Sequence, residues 1–257
     1  MLFAAFRVIF VRMSEPHRKI HPSLRAARRE RSLLRLVAGD GIVPLHEATG
    51  EAGGGVATVR GAGSLADLLA TAGPLPEALA RGAGARIAAT LARLHAAGIV
   101  HGDVKPANVV FAPDDLWLVD FDAAGMAGTP RQRATPGRLP RPDEPFLRTA
   151  DDVVALVVMV AECATGFVLD PSIAWTDHDL RRLGCSAELA ADLAAVLRDA
   201  PAADRVAALL HRRDVRLPSP PGPAPARGTD PTPTITLPPV AIPGLPPAGE
   251  PAAAARC

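Results

Sequence analysis

Apolar and polar residues change their period several times along this chain, and each change marks an element. Residues 1–13 carry Phe, Val and Ile in loose alternation, the pattern of a strand. Over residues 22–37, Leu24, Ala27, Leu33, Leu34 and Val37 return at helical spacing among many arginines, which predicts an amphipathic helix. Residues 41–48 and 56–60 read as short strands around a glycine-rich turn at Gly53, Gly54 and Gly55. Residues 64–70 predict a short helix, and residues 77–97 a long one with Ile87, Leu91 and Leu94 on one face. Two short apolar runs split by polar residues fill 99–122, and a Pro-, Arg- and Gly-rich loop is expected over 123–147. Residues 151–166 are apolar nearly all round, which predicts a buried helix; helices resume at 187–197 and 203–212.

The order is strands, one helix, strands, then mostly helices, with no internal repeat. This predicts an α+β chain in two lobes: a small mixed N-terminal lobe over about 1–60 and a larger helical one over about 61–214. Beyond residue 215 the composition shifts. Residues 216–257 hold 13 of the chain's 27 prolines and little that packs, so 215–257 is expected to be a disordered, polyproline-biased tail. It reads as a solvated spacer, with an SH3- or WW-like partner as the sharper alternative.

Composition narrows the partners. At 257 residues and 48% hydrophobic, the chain can bury a sizeable core. A formal net charge of +1 gives no global field toward nucleic acid or membrane. With 4% aromatic residues and no Tyr, the stacking platforms of single-strand binding are missing, so no nucleic-acid partner is expected. Cys163, Cys185 and Cys257 form no CxxC pair and no metal spacing; they read as reduced thiols of a cytoplasmic protein. The apolar start is too short to span a bilayer, Arg7 and Arg12 interrupt it, and it lacks the pattern of a signal peptide. No membrane segment is expected.

The chemistry is concentrated in His101-Gly102-Asp103-Val104-Lys105-Pro106-Ala107-Asn108, followed twelve residues later by Asp120-Phe121-Asp122. Phosphoryl transfer needs a carboxylate to orient the attacking hydroxyl and take its proton. It also needs divalent metal on the nucleotide phosphates, and positive charge near the transferred group. An Asp, a Lys at +2 and an Asn at +5 supply these roles from one turn. A second Asp after a short hairpin adds a hard oxygen ligand suited to Mg²⁺.

These residues resemble the protein kinase family: the first run matches its catalytic loop and the second its Asp-Phe-Gly motif. The resemblance implies Asp103 as catalytic base, Lys105 on the γ-phosphate, and Asn108 and Asp120 as metal ligands. It implies ATP and Mg²⁺ as cofactors and a protein Ser or Thr hydroxyl as acceptor. Val110 would touch the adenine. Leu34, His101 and Phe121 would stack above Asp152, which leads a buried helix and braces the catalytic loop. Residues 61–68 resemble the hinge and the helix after it. Thr135-Pro136-Gly137 with Pro142-Asp143 resembles the end of the activation segment, its acid (Asp143 or Glu144) pairing with Arg205. The resemblance runs from about residue 5 to 214.

Glu30 resembles the helix Glu that pairs with a strand Lys. For that cation Arg12, eighteen residues earlier, is the best-spaced candidate, with Arg7 the other. Lys19 stands too close to Glu30 and is expected to open the helix. Arg would keep the charge but change its reach and geometry. No glycine-rich phosphate loop precedes that strand. Gly102 replaces the Arg that reads a phosphorylated activation loop, and Asp122 replaces the Gly of the metal motif. Three functions therefore stay open: a Ser/Thr protein kinase, a pseudokinase scaffold, and a small-molecule kinase, the last suggested by His-Gly-Asp and Asp-Phe-Asp. The arginine-rich run over 25–35 reads as a solvated helix face. His17 and His21 lie close together without an apparent third metal ligand.

Overall fold

The computed structural model describes residues 16–46, 55–113, 115–132, 135, 138 and 143–211. The expected strand over 1–13, with Arg7 and Arg12, lies outside the described residues, as do Gly53, Gly54, Pro136, Gly137, Pro142 and the proline-rich tail.

The first element is a strand that the hydrophobic pattern does not announce. β1 (Pro16–Ile20) pairs antiparallel with β2 (Gly55–Val59), from Pro16 opposite Val59 to Ile20 opposite Gly55. Between them runs α1 (Leu24–Leu36). Ser23 caps it, its hydroxyl accepting the Ala26 N–H at 3.2 Å, which satisfies one of the helix's orphan donors. The buried stripe of α1 is Ala27, Glu30 and Leu34, so a carboxylate sits within an apolar face.

Of the strand expected over 41–48, the described part, 41–46, contributes only isolated bridges, Ile42 to Leu118 and Leu45 to Thr58. Pro44 lacks an N–H and Gly41 sits at φ 74°, so no regular ladder propagates. The segment instead ties two sheets together. Leu118 donates its N–H to Gly41 O at 2.8 Å, and Val59 donates to Pro44 O at 2.9 Å.

The helical part begins with α2 (Leu65–Ala72), held by a reciprocal cap between Ser64 and Asp67. Then come α3 (Glu77–Ala96), β3 (Ile99–Val100), and the hairpin of β4 (Val109–Phe111) with β5 (Leu116–Leu118). β6 (Gly125–Met126) returns to pair with β3. α4 (Thr149–Thr165) follows, buried without a break from Asp151 to Ala161, as its all-round apolar pattern predicts. α5 (Asp177–Arg182), α6 (Ala187–Asp199) and α7 (Ala203–Leu210) complete the helices. At six residues, α5 is too short for periodicity to reveal.

Among the described residues the chain is mixed α+β, with seven α-helices and three two-stranded sheets. None of these helices is long and apolar enough to cross a membrane. Cys163 and Cys185 are free and buried, and burial, helped by the Glu162 charge, pushes the Cys163 thiol up to about 12.

α3 meets α4 and α7 at Gly84, where a Cβ would stand 2.5 Å from Val160 Cγ2 and 2.9 Å from Leu210 Cδ1. Gly84→Ala should gain about 1 kcal/mol of helix propensity. It should lose more to overpacking, which costs about 1–3 kcal/mol. A net fall in the thermal midpoint is expected; a rise would mean that these helices separate at little cost.

Candidate active site

The site is built outward from a buried carboxylate. Asp152, in the first turn of α4, is 1% exposed. It accepts the His101 N–H and the Gly102 N–H at 2.8 Å each, and its Oδ2 lies 2.9 Å from His95 Nε2. A buried charge is tolerated when its lone pairs are satisfied in this way. The contacts fix the loop after β3.

Gly102 has φ 79°, and a Cβ there would stand 3.0 Å from Ala123 O. The local backbone therefore favours glycine where the resemblance has arginine. His101 Nε2 lies 3.1 Å from Val119 O, and its Nδ1 accepts the Asp103 N–H at 3.3 Å, so the hydrogen bonds assign the proton to Nε2. The ring meets Phe121 edge-on, with centroids 4.9 Å apart.

Asp103 is the next step along that loop. Its Oδ2 accepts from Lys105 Nζ at 2.7 Å and from Asn108 Nδ2 at 3.0 Å. Asn108 Nδ2 also donates to the Asp103 carbonyl at 2.8 Å, so the amide oxygen is the acceptor end of this side chain. Asp103 Oδ1 accepts the Thr135 hydroxyl at 2.5 Å, and Lys105 Nζ donates to Thr135 Oγ1 at 2.8 Å. A hydroxyl thus already rests between a carboxylate and an ammonium.

Facing this loop, Lys19 Nζ lies 2.5 Å from Asp120 Oδ1, 2.8 Å from Asp122 Oδ2 and 3.5 Å from Glu30 Oε1. Glu30 Oε1 also accepts the Phe121 N–H at 3.0 Å. Burial alone would push the Asp120 carboxyl up, but the Lys19 hydrogen bond and charge outweigh it, leaving the group below its ordinary value. Burial likewise disfavours the Lys19 ammonium, and the carboxylates of Asp120, Asp122 and Glu30 more than offset it, so Lys19 is raised. Asp120 holds φ 65°, a left-handed backbone that Asp tolerates better than most residues.

Between the two groups opens a cavity of about 500 Å³. Leu34, Val43, Val56 and Val110 give it apolar walls; Lys19, Asn108 and Asp120 give it a polar end. An apolar slot ending in one ammonium and hard oxygen ligands fits a nucleotide with Mg²⁺ on its phosphates. A larger cavity of about 730 Å³ lies behind α1, lined among others by Leu34, Arg35, Ile42 and Trp117, and reaches neither the catalytic loop nor Asp120.

Residues 5–137 match the protein kinase domain family. The chain belongs to that family. Among its relatives is the serine/threonine-protein kinase PknD of Mycobacterium tuberculosis, 34% identical over 177 residues, which is 62% of this chain and 26% of PknD. PknE of the same species is 32% identical over 137 residues, covering 49% of this chain and 24% of PknE. AfsK of Streptomyces coelicolor is 31% identical over 112 residues, 40% of this chain and 14% of AfsK. The chain therefore spans about a quarter or less of the length of these kinases.

Against the family pattern, Glu30, Val110, Asn108 and Asp120 line one cavity, and Asp103 and Lys105 adjoin it through Asn108. Arg12 lies outside the described residues. Lys19 corrects an expectation: it does not open the helix but sits in β1 and pairs with Glu30. Eleven residues suffice because the chain turns at once into α1. Six residues of helix advance only about 9 Å, within the combined reach of the two side chains. A second correction concerns Arg205, which is exposed on α7; Glu144 pairs instead with Arg148, one helical turn away in sequence, at 2.6 Å. Residue-by-residue reading missed Lys19, the seating of Thr135 on Asp103, and the enclosure of His21 by Glu30 and Asp122.

Asp152→Asn keeps the volume but replaces one acceptor oxygen with a donor facing a backbone N–H. A loss of roughly 3 kcal/mol in chemical denaturation is expected, the scale of a buried hydrogen bond to a charged group. An unchanged midpoint would mean that the loop is anchored elsewhere.

Proposed function

We propose that this chain is an ATP- and Mg²⁺-dependent phosphotransferase acting on serine or threonine hydroxyls of proteins. The observation that carries the reading is the convergence of Lys19, Glu30 and Asp120 at the polar end of a cavity whose Asn108 is hydrogen-bonded to Asp103. Lys19 would hold the nucleotide phosphates, with Glu30 orienting it. Asn108 and Asp120 would hold the metal. Val110 and its apolar neighbours would contact the base. When bound, Mg²⁺-ATP supplies the transferable phosphoryl group and offsets the charge of the leaving diphosphate.

The chain's own part is positioning and proton transfer. Asp103 would orient the acceptor hydroxyl and take its proton at Oδ1. Lys105 would keep positive charge beside the reacting oxygen. Support for a hydroxyl acceptor comes from Thr135, whose Oγ already lies between these two groups. The relatives named above are serine/threonine-protein kinases, which favours a protein acceptor over a small molecule.

A second reading, a nucleotide-binding scaffold with little transfer, is favoured by one observation. Lys19 lies closer to Asp120, at 2.5 Å, than to Glu30, at 3.5 Å, and so covers a carboxylate expected to bind metal. Incubation with γ-labelled ATP, Mg²⁺ and a generic protein substrate separates the two. The first reading expects labelled Ser or Thr, reduced at least about 100-fold by Asp103→Ala, the low end for a general base, and lost in Asp120→Asn. Nucleotide binding without Asp103-dependent transfer, in a folded chain, would favour the scaffold.

A further inference from the structure

His21 has no part in the proposed transfer, yet it is among the most enclosed polar side chains, at 1% exposure. It follows β1 directly. Its Nε2 lies 2.6 Å from Glu30 Oε2 and its Nδ1 lies 3.2 Å from Asp122 Oδ1. One ligand atom from each of His21, Glu30 and Asp122 can be chosen so that all lie within 4.8 Å of one another. The three residues come from separate segments: the end of β1, the second turn of α1, and the turn after β5.

The close approach of His21 to Glu30 lacks the alignment of a hydrogen bond. Nε2 and Oε2 are both buried, and neither has a hydrogen-bond partner despite their 2.6 Å separation. Orphaned buried polar atoms ask for an explanation, an absent ion among them. Charge points the same way. Three carboxylates, Glu30, Asp120 and Asp122, converge here, and Lys19 is the permanent cation bonded to all of them. Lys19 uses Glu30 Oε1 and Asp122 Oδ2, while His21 faces the other oxygen of each. A cavity of about 210 Å³, lined also by Arg29, Phe121 and Gln132, opens onto the cluster.

We propose that His21, Glu30 and Asp122 form a site for a divalent transition-metal ion, with Zn²⁺ the best match. One imidazole nitrogen and two carboxylate oxygens are a borderline donor set that suits Zn²⁺ better than Mg²⁺. Three protein ligands leave a fourth tetrahedral position for water from the cavity. Tetrahedral ligand bonds of about 2.0–2.2 Å place neighbouring donors roughly 3.3–3.6 Å apart, so side-chain rotation must open the 2.6 Å His21–Glu30 approach by up to about 1 Å. The ion would cross-link β1, α1 and the Asp120 turn while Lys19 keeps its own oxygens. This site is separate from the Asn108–Asp120 pair and does not depend on the proposed transfer.

The test uses the full chain, stripped by chelation and titrated with Co²⁺ as a visible stand-in for Zn²⁺. One equivalent with ligand-field bands and no thiolate charge transfer is expected, displaced by Zn²⁺ and untouched by excess Mg²⁺. His21→Gln and Asp122→Gly should each weaken binding more than the roughly tenfold minimum typical of outer-shell changes. Zn²⁺ should raise the melting temperature of the wild type. Four results would overturn the proposal: no Co²⁺ bound by the wild type, a thiolate spectrum, loss of the spectrum to Mg²⁺, or folded variants that bind like the wild type. The first three need no variant, so a variant that fails to fold does not protect the idea.

Discussion

The Asp152 carboxylate is the constraint on which the site depends. It is carried into the interior by a helix with few polar alternatives, and the chain must satisfy it there. It does so with two backbone N–H groups of the catalytic loop and with His95. The first-turn position adds the favourable end of the helix dipole. The loop is therefore anchored to Asp152 through its backbone atoms. Asp103, Lys105 and Asn108 remain free to bond one another. His101 extends the restraint, because its ring bridges Val119 O and the Asp103 N–H while packing on Phe121. Position thus passes from the core to Asp103 on one side and toward Asp120 on the other.

The opposite wall follows a different logic. There the anchors are charges in partial contact with solvent, and no single pair fixes the arrangement. Glu30 is turned inward by α1 and accepts the Phe121 N–H, so the helix and the Asp120 turn are tied to each other. Lys19 reads both through one ammonium. These pairs are partly buried, so part of their Coulombic gain offsets the cost of desolvation; what they contribute besides is alignment. A small change in how α1 sits would alter Lys19, Glu30 and Phe121 at once.

What the sequence made legible follows from this division. The catalytic loop was readable because its groups lie within eight residues and their spacing alone sets their geometry. The buried helix was readable because α4 is apolar on all faces. β1 was not, because its pattern is inverted: Ile20 is 87% exposed while Lys19 turns inward to the carboxylates. A rule that puts apolar residues inside therefore passes over Pro16–Ile20 and looks for the strand, and its cation, further upstream. The described part of the strand expected at 41–48 departs for the opposite reason. Ile42 and Val43 are buried, but Pro44 and Gly41 deny it a ladder, a case of local backbone chemistry overriding pattern. The seat of Thr135 on Asp103 depends on a return of the chain thirty-two residues later, and no local signal encodes it.

Asp122 shows how a departure from the family pattern can be absorbed. A carboxylate in place of glycine, two residues from Asp120 and near Glu30, adds a third like charge to a confined space. Like charges this close oppose one another unless cations intervene. Lys19 supplies one, and His21 faces the new carboxylate from the other side. The two residues face each other, His21 Nδ1 lying 3.2 Å from Asp122 Oδ1. Together they join the turn after β5 to the end of β1, a link that glycine could not make. The substitution that removes the backbone freedom of glycine thus adds a side-chain tether at the same place, and mobility of the Asp120 turn is exchanged for contact with the strand that carries Lys19.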